Sequence, residues 1–231
     1  MSGPGLAPSN PLIVAADTAD IDAADDLAGR LSGVAEGIKV GLELYTAAGP
    51  ASIARLRDRL PVFLDLKLHD IPHTAGRAAR VAGRLGTSML TVHALGGPEM
   101  MSAAVAGAAE GAAEAGTEPP AILGVTVLSS LAEQAGASPA SLAFEAVEAG
   151  ARGVVVSGDD VSVVRQVLGD RAFLVVPGIR PSGHRGNDHA RVLTPAEAMD
   201  KGADYLVVGR PITEASDPAV AARQLLREIG R

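Results

Sequence analysis

The sequence predicts a single-domain α/β fold, a closed (β/α)8 TIM barrel, and three observations carry that expectation. Short runs rich in Val, Ile and Leu recur eight times along the 231 residues. Several of them lack polar alternation, the mark of parallel strands covered on both faces. Helix-like segments rich in Ala, Arg and Glu separate the runs, at a spacing of about 20–30 residues that suits a barrel of about 250 residues.

In chain order the strands fall at "PLIVAA" (11–16), "GIKVG" (37–41), "VFLDLK" (62–67), "SMLTVH" (88–93), "AILGVT" (121–126), "GVVVS" (153–157), "AFLVVP" (172–177) and "DYLVVG" (204–209). The segment "TAGRAARVAGRLG" supplies a helix after strand three, and "SLAFEAVEAG" one after strand five. Between them "MSAAVAGAAEGAAEAG" is interrupted by Glu110 and Glu114, so it reads as a water-soluble helix. A membrane span needs about 20 apolar residues in a row, and the chain has no such run. Gly86, Gly150 and Gly202 stand where a glycine closes a helix. An open doubly wound sheet is the competing architecture, but it usually places a glycine-rich phosphate turn after the first strand. Here strand one runs into "AADTAD", with no glycine. The first ten residues, "MSGPGLAPSN", lack a basic start and an apolar core. They read as a flexible tail (1–10) ahead of a barrel over 11–231, not as a signal peptide.

Composition narrows the function. The absence of cysteine excludes disulfides, thiolate metal sites and cysteine nucleophiles, and fits a reducing cytoplasm. A net charge of −7, with three Phe, two Tyr and no Trp, argues against a nucleic-acid surface or a base-stacking platform.

A (β/α)8 barrel places its chemistry at the C-terminal ends of its strands. In order those ends read Asp17, Lys39, Asp65 with Lys67, His93, Thr126 near Ser129, Ser157, Pro177-Gly178 and Gly209-Arg210. Residues i and i+2 of a strand share a face. Phe63, Asp65 and Lys67 are therefore expected to point into the barrel, and Leu64, Leu66 and Leu68 towards the helices. Lys39 ends the neighbouring strand and Asp17 the one beyond it. The expected result is an array of two lysines and two carboxylates, each charge flanked by its opposite, an arrangement that favours the charged form of each. A cationic lysine donates a proton or clamps an anion; it is not a nucleophilic amine. Asp70, in "HDIPHTAG", has a second reading as a cap of the following helix, with Pro72 in the first turn. A second constellation lies in "PGIRPSGHRGNDHARVLT" (177–194), an aperiodic stretch long enough to be a lid or binding loop. Together with "VVGRPIT" it offers Arg180, Gly209 and Arg210 at the place where such barrels recurrently bind phosphate.

With these residues in view, the chain resembles the orotidine 5′-phosphate decarboxylase family of the bacterial type. The resemblance runs through "IVAAD", "KVGLELY", "FLDLKLHDIPHT", "TVHALGG", "VTVLSS", "VVPGIRP" and "VVGRPIT". It implies loss of CO2 from orotidine 5′-phosphate to give UMP, the last step of de novo pyrimidine nucleotide synthesis, with no cofactor and no metal. Lys67 would be the proton donor, with Lys39, Asp65 and Asp70 completing the catalytic array. Asp17 and Lys39 would hold the ribose hydroxyls, and Ser129 would read the pyrimidine edge. Pro177, Arg180, Gly209 and Arg210 would lie about the phosphate. Asp70 and Thr74 would enter the site of a partner subunit in a homodimer. The chain departs from the family pattern at "NDHAR", where His189 stands in place of a glutamine, and at Ala16 in place of a leucine. His69, His73 and His184 are expected on surfaces or loops, and His93 as a hydrogen-bonded barrel residue. Two other activities stay open: a magnesium-dependent keto-sugar phosphate decarboxylase or aldol-type synthase sharing D-x-K-x-x-D, and a non-catalytic nucleotide binder. The first resembles this strand three but carries a metal-binding carboxylate where Lys39 stands.

Overall fold

The computed structural model describes residues 8, 10–127, 138–181 and 193–231. Ser129, His184, His189 and most of the expected N-terminal tail lie outside the described residues. Asn10, at the end of that tail, is tied to the barrel: its amide donates to the Val34 carbonyl at 2.8 Å and its side-chain oxygen accepts from the Leu12 amide at 3.0 Å.

Eight strands form the sheet: β1 (Leu12–Ala16), β2 (Gly37–Val40), β3 (Val62–Leu68), β4 (Met89–His93), β5 (Ala121–Val125), β6 (Gly153–Val155), β7 (Phe173–Pro177) and β8 (Tyr205–Val208). The helices are α1 (Ile21–Leu31), α2 (Leu42–Ala48), α3 (Pro50–Leu56), α4 (Pro72–Arg84), α5 (Gly97–Ala115), α6 (Pro139–Glu148), α7 (Val161–Leu168), α8 (Pro195–Asp200), α9 (Arg210–Thr213) and α10 (Pro218–Glu228). The strands pair in chain order as a closed parallel barrel, sealed where Leu12, Ile13 and Val14 meet Leu206, Val207 and Val208. Gly86, Gly150 and Gly202 follow helices with φ of 71°, 101° and 102°, the left-handed turn that stops a helix without a Cβ clash.

Two apolar layers follow from the strand period of two. Leu12, Val14, Ile38, Val40, Leu64, Leu90, Leu174 and Val208 face outward and pack against the helices. Ile13, Ala15, Phe63, Leu123, Val175 and Val207 face inward and fill the barrel. Towards the N-terminal ends of the strands, Arg165 of α7 forms an ion pair with Asp204 and donates to the Gly202 and Ala172 carbonyls at 3.0 and 3.1 Å. The same carboxylate accepts the Leu174 amide at 2.7 Å. This network ties α7 to the N-terminal ends of two strands, β7 and β8.

The tightest helix contact is between α4 and α5, and glycine makes it possible. A Cβ on Gly107 would lie 2.1 Å from the Gly76 carbonyl oxygen, and one on Gly111 only 1.9 Å from that of Arg80. On α4, a Cβ on Gly83 would lie 2.3 Å from the Ala108 carbonyl oxygen. Backbone meets backbone, which fixes α4 and hence the segment from Asp70 to Thr74 at its start. Gly111→Ala must push the helices apart and should lower stability by about 1–3 kcal/mol. Gly29→Ala, in α1 where nothing lies within 4 Å of the added methyl, should instead gain about 0.5–1 kcal/mol. Urea denaturation of the two variants beside the wild type checks both signs.

Candidate active site

The strand-end charges meet at the C-terminal mouth of the barrel. Register explains how. Ala15 lies beside Lys39, and Lys39 beside Phe63, so the long Lys39 side chain starts one inward position below both carboxylates and reaches up between them. Its ammonium is 3.3 Å from Asp17 Oδ1 and 3.7 Å from Asp65 Oδ2. The Lys67 ammonium donates to both oxygens of Asp65, at 2.8 and 2.9 Å. The order along the mouth is Asp17, Lys39, Asp65, Lys67, strictly alternating in sign. Lys39 and Asp65 are the sheltered pair, each with only 13% of its side chain exposed, against 60% for Asp17.

Lys67 does not arrive there by simple alternation. Leu64 pairs with Leu90 and Leu68 with Val92, so four steps along β3 match only two along β4. The ladder slips in register there, and Lys67 within the slip has φ of 51°; among the described residues no other non-glycine residue has a positive φ. The expected inward file of Phe63, Asp65 and Lys67 therefore holds for the first two and is broken at the third. The backbone itself turns to present the lysine, while Leu66 and Leu68 keep their half-buried places against the outer core.

Two contributors to this geometry escaped the strand-end reading. Thr91, one inward position before His93 on β4, is fully buried, accepts the Lys67 amide at 2.8 Å and donates to Asp65 Oδ1 at 3.0 Å. A polar residue in step with His93 was the available signal. Gly41 is the second: a Cβ there would stand 3.0 Å from the Lys39 ammonium and 3.8 Å from Asp17 Oδ1, so the glycine leaves the lysine its room.

Asp70 and Thr74 are exposed and do not touch the charged array of their own chain. Asp70 is not the helix cap that its position suggested: Ile71 occupies the cap of α4 without a side-chain bond, and the Asp70 carboxylate accepts the Ile71 amide at 2.7 Å. Pro177 ends β7, and beyond it the Arg180 amide donates to the Leu193 carbonyl at 3.1 Å. Gly209 follows β8 with Asp17 Oδ2 only 3.3 Å from the position of a Cβ, and Arg210 opens α9 with its side chain exposed. A crevice of about 520 Å³ between α1, α9 and the start of α10 has Asp17 and Arg210 in its lining but none of Lys39, Asp65 and Lys67. Among the described residues no three His, Asp or Glu gather as metal ligands, and no helix is long and apolar enough to cross a membrane.

His93 differs from its expectation as a hydrogen-bonded residue. Its Nδ1 is buried and finds no hydrogen-bond partner among the described residues. Its ring stacks on that of His69, centroids 5.0 Å apart, and His69 is exposed as expected.

A sequence model described as "Orotidine 5'-phosphate decarboxylase / HUMPS family" matches residues 10–225. The chain belongs to that family. It is 47% identical to an orotidine 5′-phosphate decarboxylase of Paramagnetospirillum magneticum over 96% of this chain and 99% of that one. It is 46% identical to one from Moorella thermoacetica, over 94% of this chain and 91% of that one. Among solved structures, the orotidine 5′-phosphate decarboxylase of Lactobacillus acidophilus superposes with a TM-score of 0.82 at 34% identity, covering 96% of this chain and all of its own. The resemblance read from the motifs thus holds for the family and for the barrel.

Burial, then the His69 ring, then the Lys67 ammonium hold the His93 imidazole below its ordinary value of 6.5. The folded state therefore binds fewer protons than the unfolded one below that value. Stability is intact above it and declines as pH falls from the unfolded pKa towards the folded one. His93→Gln should lose less melting temperature than the wild type between about pH 7.5 and about pH 5.5. Thermal melts at the two pH values read the difference; equal losses would mean that the ring titrates alike in both states.

Proposed function

We propose that the chain decarboxylates orotidine 5′-phosphate to UMP without metal or cofactor, as the last step of de novo pyrimidine nucleotide synthesis in the cytoplasm. The observation that carries the reading is the Lys67 ammonium, held on both oxygens of Asp65 inside an alternating array. The C6–carboxylate bond breaks, CO2 leaves, and the electron pair stays on C6 in an orbital that no adjacent carbonyl can delocalise. A fixed ammonium stabilises that developing charge and then donates a proton to the carbon. Solvent reprotonates the lysine, so one proton is consumed per turnover. Asp65 stands where a substrate carboxylate would meet a negative charge, which favours charge at C6 over charge at the carboxylate.

Asp17 and Lys39 suit the ribose hydroxyls, the first as acceptor and the second as donor. Arg210 suits the phosphate: it is exposed, it directly follows Gly209 at the C-terminal end of β8, and it is paired with no acid among the described residues. Pro177, Arg180 and Gly209 belong to the same end of the barrel, and Ser129 and His189, outside the described residues, are assigned by the resemblance to substrate binding. Asp70 and Thr74 are assigned to the site of a second subunit. Their exposure beside Ile71, itself 65% exposed, supports that assignment. The metal-dependent alternative is disfavoured by Lys39, because an ammonium between Asp17 and Asp65 repels a divalent cation from both.

Ultraviolet absorbance after addition of orotidine 5′-phosphate tests the reading. The spectrum should change to that of UMP, at the same rate with EDTA present; no change, or inhibition by EDTA, would overturn it. Lys67→Ala should lower kcat by at least about a hundredfold while UMP binding stays measurable by calorimetry. Arg210→Ala should lower kcat/KM by about 10–100-fold, as loss of a charge-assisted phosphate contact predicts.

A further inference from the structure

We infer that Thr91 is a positioning residue for the proton donor, acting through one hydroxyl on both the backbone and the side-chain partner of Lys67. The inference rests on the decarboxylase reading above and adds a residue to it.

The bond directions in this network are forced. The Lys67 amide can only donate, so at 2.8 Å the Thr91 oxygen must accept from it. The hydroxyl has a single hydrogen, and its other neighbour is Asp65 Oδ1 at 3.0 Å, a carboxylate oxygen that accepts it. That same oxygen accepts the Lys67 ammonium at 2.8 Å. A closed ring results: Lys67 amide to Thr91 hydroxyl, hydroxyl to Asp65 carboxylate, and Lys67 ammonium back to that carboxylate.

Each link answers a need created by the β3 slip. With φ of 51°, Lys67 sits in a backbone region that L-residues enter at a cost and keep only when the surroundings hold them there. The register shift between Leu64 and Leu68 takes the Lys67 amide out of the regular ladder, and Thr91 supplies the acceptor. Thr91 is itself well held. It lies inside a regular stretch of β4 paired with Leu123 of β5, it is fully buried, and its β-branched side chain has few rotamers available. A rigid strand thereby fixes an irregular one at the point where the donor emerges. Phe63, two residues before Asp65, packs inside the barrel and anchors the same strand from below.

Without the hydroxyl, the Lys67 amide and Asp65 Oδ1 each lose a partner, and the left-handed turn loses its tie. A donor displaced by about 1 Å costs about a hundredfold in rate, whereas the Thr91 hydroxyl bonds to none of Asp17, Lys39 and Arg210, the groups assigned above to ribose and phosphate. The test compares wild type, Thr91→Ser, Thr91→Val and Thr91→Ala. Steady-state kinetics with orotidine 5′-phosphate, UMP affinity by calorimetry and melting temperature are measured for each. Val keeps the shape and loses the hydroxyl; the Ser and Ala variants differ from each other by the hydroxyl alone. Thr91→Val and Thr91→Ala should lose about a hundredfold in kcat with UMP affinity within about threefold. Thr91→Ser should recover to within about tenfold of wild type. A Thr91→Val enzyme with near wild-type kcat, or a Thr91→Ser enzyme as impaired as Thr91→Ala, overturns the assignment. So does failure of both hydroxyl-free variants to fold, which would make the residue purely structural. A wild type inert towards orotidine 5′-phosphate refutes the functional reading itself, whereas an active wild type matched by Thr91→Val refutes the role of Thr91 alone.

Discussion

Lys39 and Asp65 face each other across 3.7 Å with little solvent to share, and everything at the barrel mouth is arranged around that sheltered pair. Removing either partner would leave a partly buried charge without compensation, a loss of several kcal/mol in fully buried cases. The pair cannot close on itself, because each member also serves an outer neighbour: Asp17 for the lysine, Lys67 for the carboxylate. Alternation in sign is thus a condition for the four groups to coexist above an apolar barrel interior. The space around them is equally constrained. Gly41 clears the ammonium of Lys39, and Gly209 brings the backbone close to Asp17.

Such an array does little to hold the fold together. Desolvation of paired charges commonly cancels their attraction, and Lys67 adds backbone strain of about 1–3 kcal/mol. Stability comes from elsewhere. The outer apolar layer, the glycine-lined contact between α4 and α5, and the Arg165–Asp204 network towards the opposite face bind helices to the barrel. This separation of a stable face from a chemical face is the general logic of the architecture. The α4–α5 contact joins the two, since the segment bearing Asp70 and Thr74 begins a helix that backbone contacts hold against α5.

Much of this was legible in the sequence because parallel strands covered on both faces are written as apolar runs. Each of the eight expected strands is present, with ends shifted by no more than two residues. The array was legible for a related reason: Asp17, Lys39 and Asp65 interrupt apolar runs where a barrel puts its chemistry. The rest depends on contacts between strands. Nothing in "VFLDLKL" announces that Lys67 adopts a left-handed backbone, since the residue types that normally signal such a turn are glycine and asparagine. Thr91 looks like any β-branched residue chosen for a strand. Its hydroxyl acquires meaning only when the slip of β3 brings the Lys67 amide beside it. The same limit applies to His93, whose missing hydrogen bond is a property of its surroundings and not of its place in "TVHALGG".

Strain and charge at one residue are better explained together than apart. A regular β3 would continue the inward file from Phe63 through Asp65 to position 67, with the ammonium rising from the strand at the next level of the mouth. The slip instead turns the chain so that the ammonium folds back onto both oxygens of Asp65, two residues earlier. A flexible lysine on a regular strand would reach the same carboxylate in many ways; a lysine whose backbone is fixed on one side and whose ammonium is fixed on the other reaches it in few. The strain is local and the restriction acts on the atom that would deliver the proton, which is how stored strain contributes to preorganisation. On this argument the register slip and the charged array are one device, and the unusual backbone of Lys67 is the cost of holding the proposed proton donor in one position.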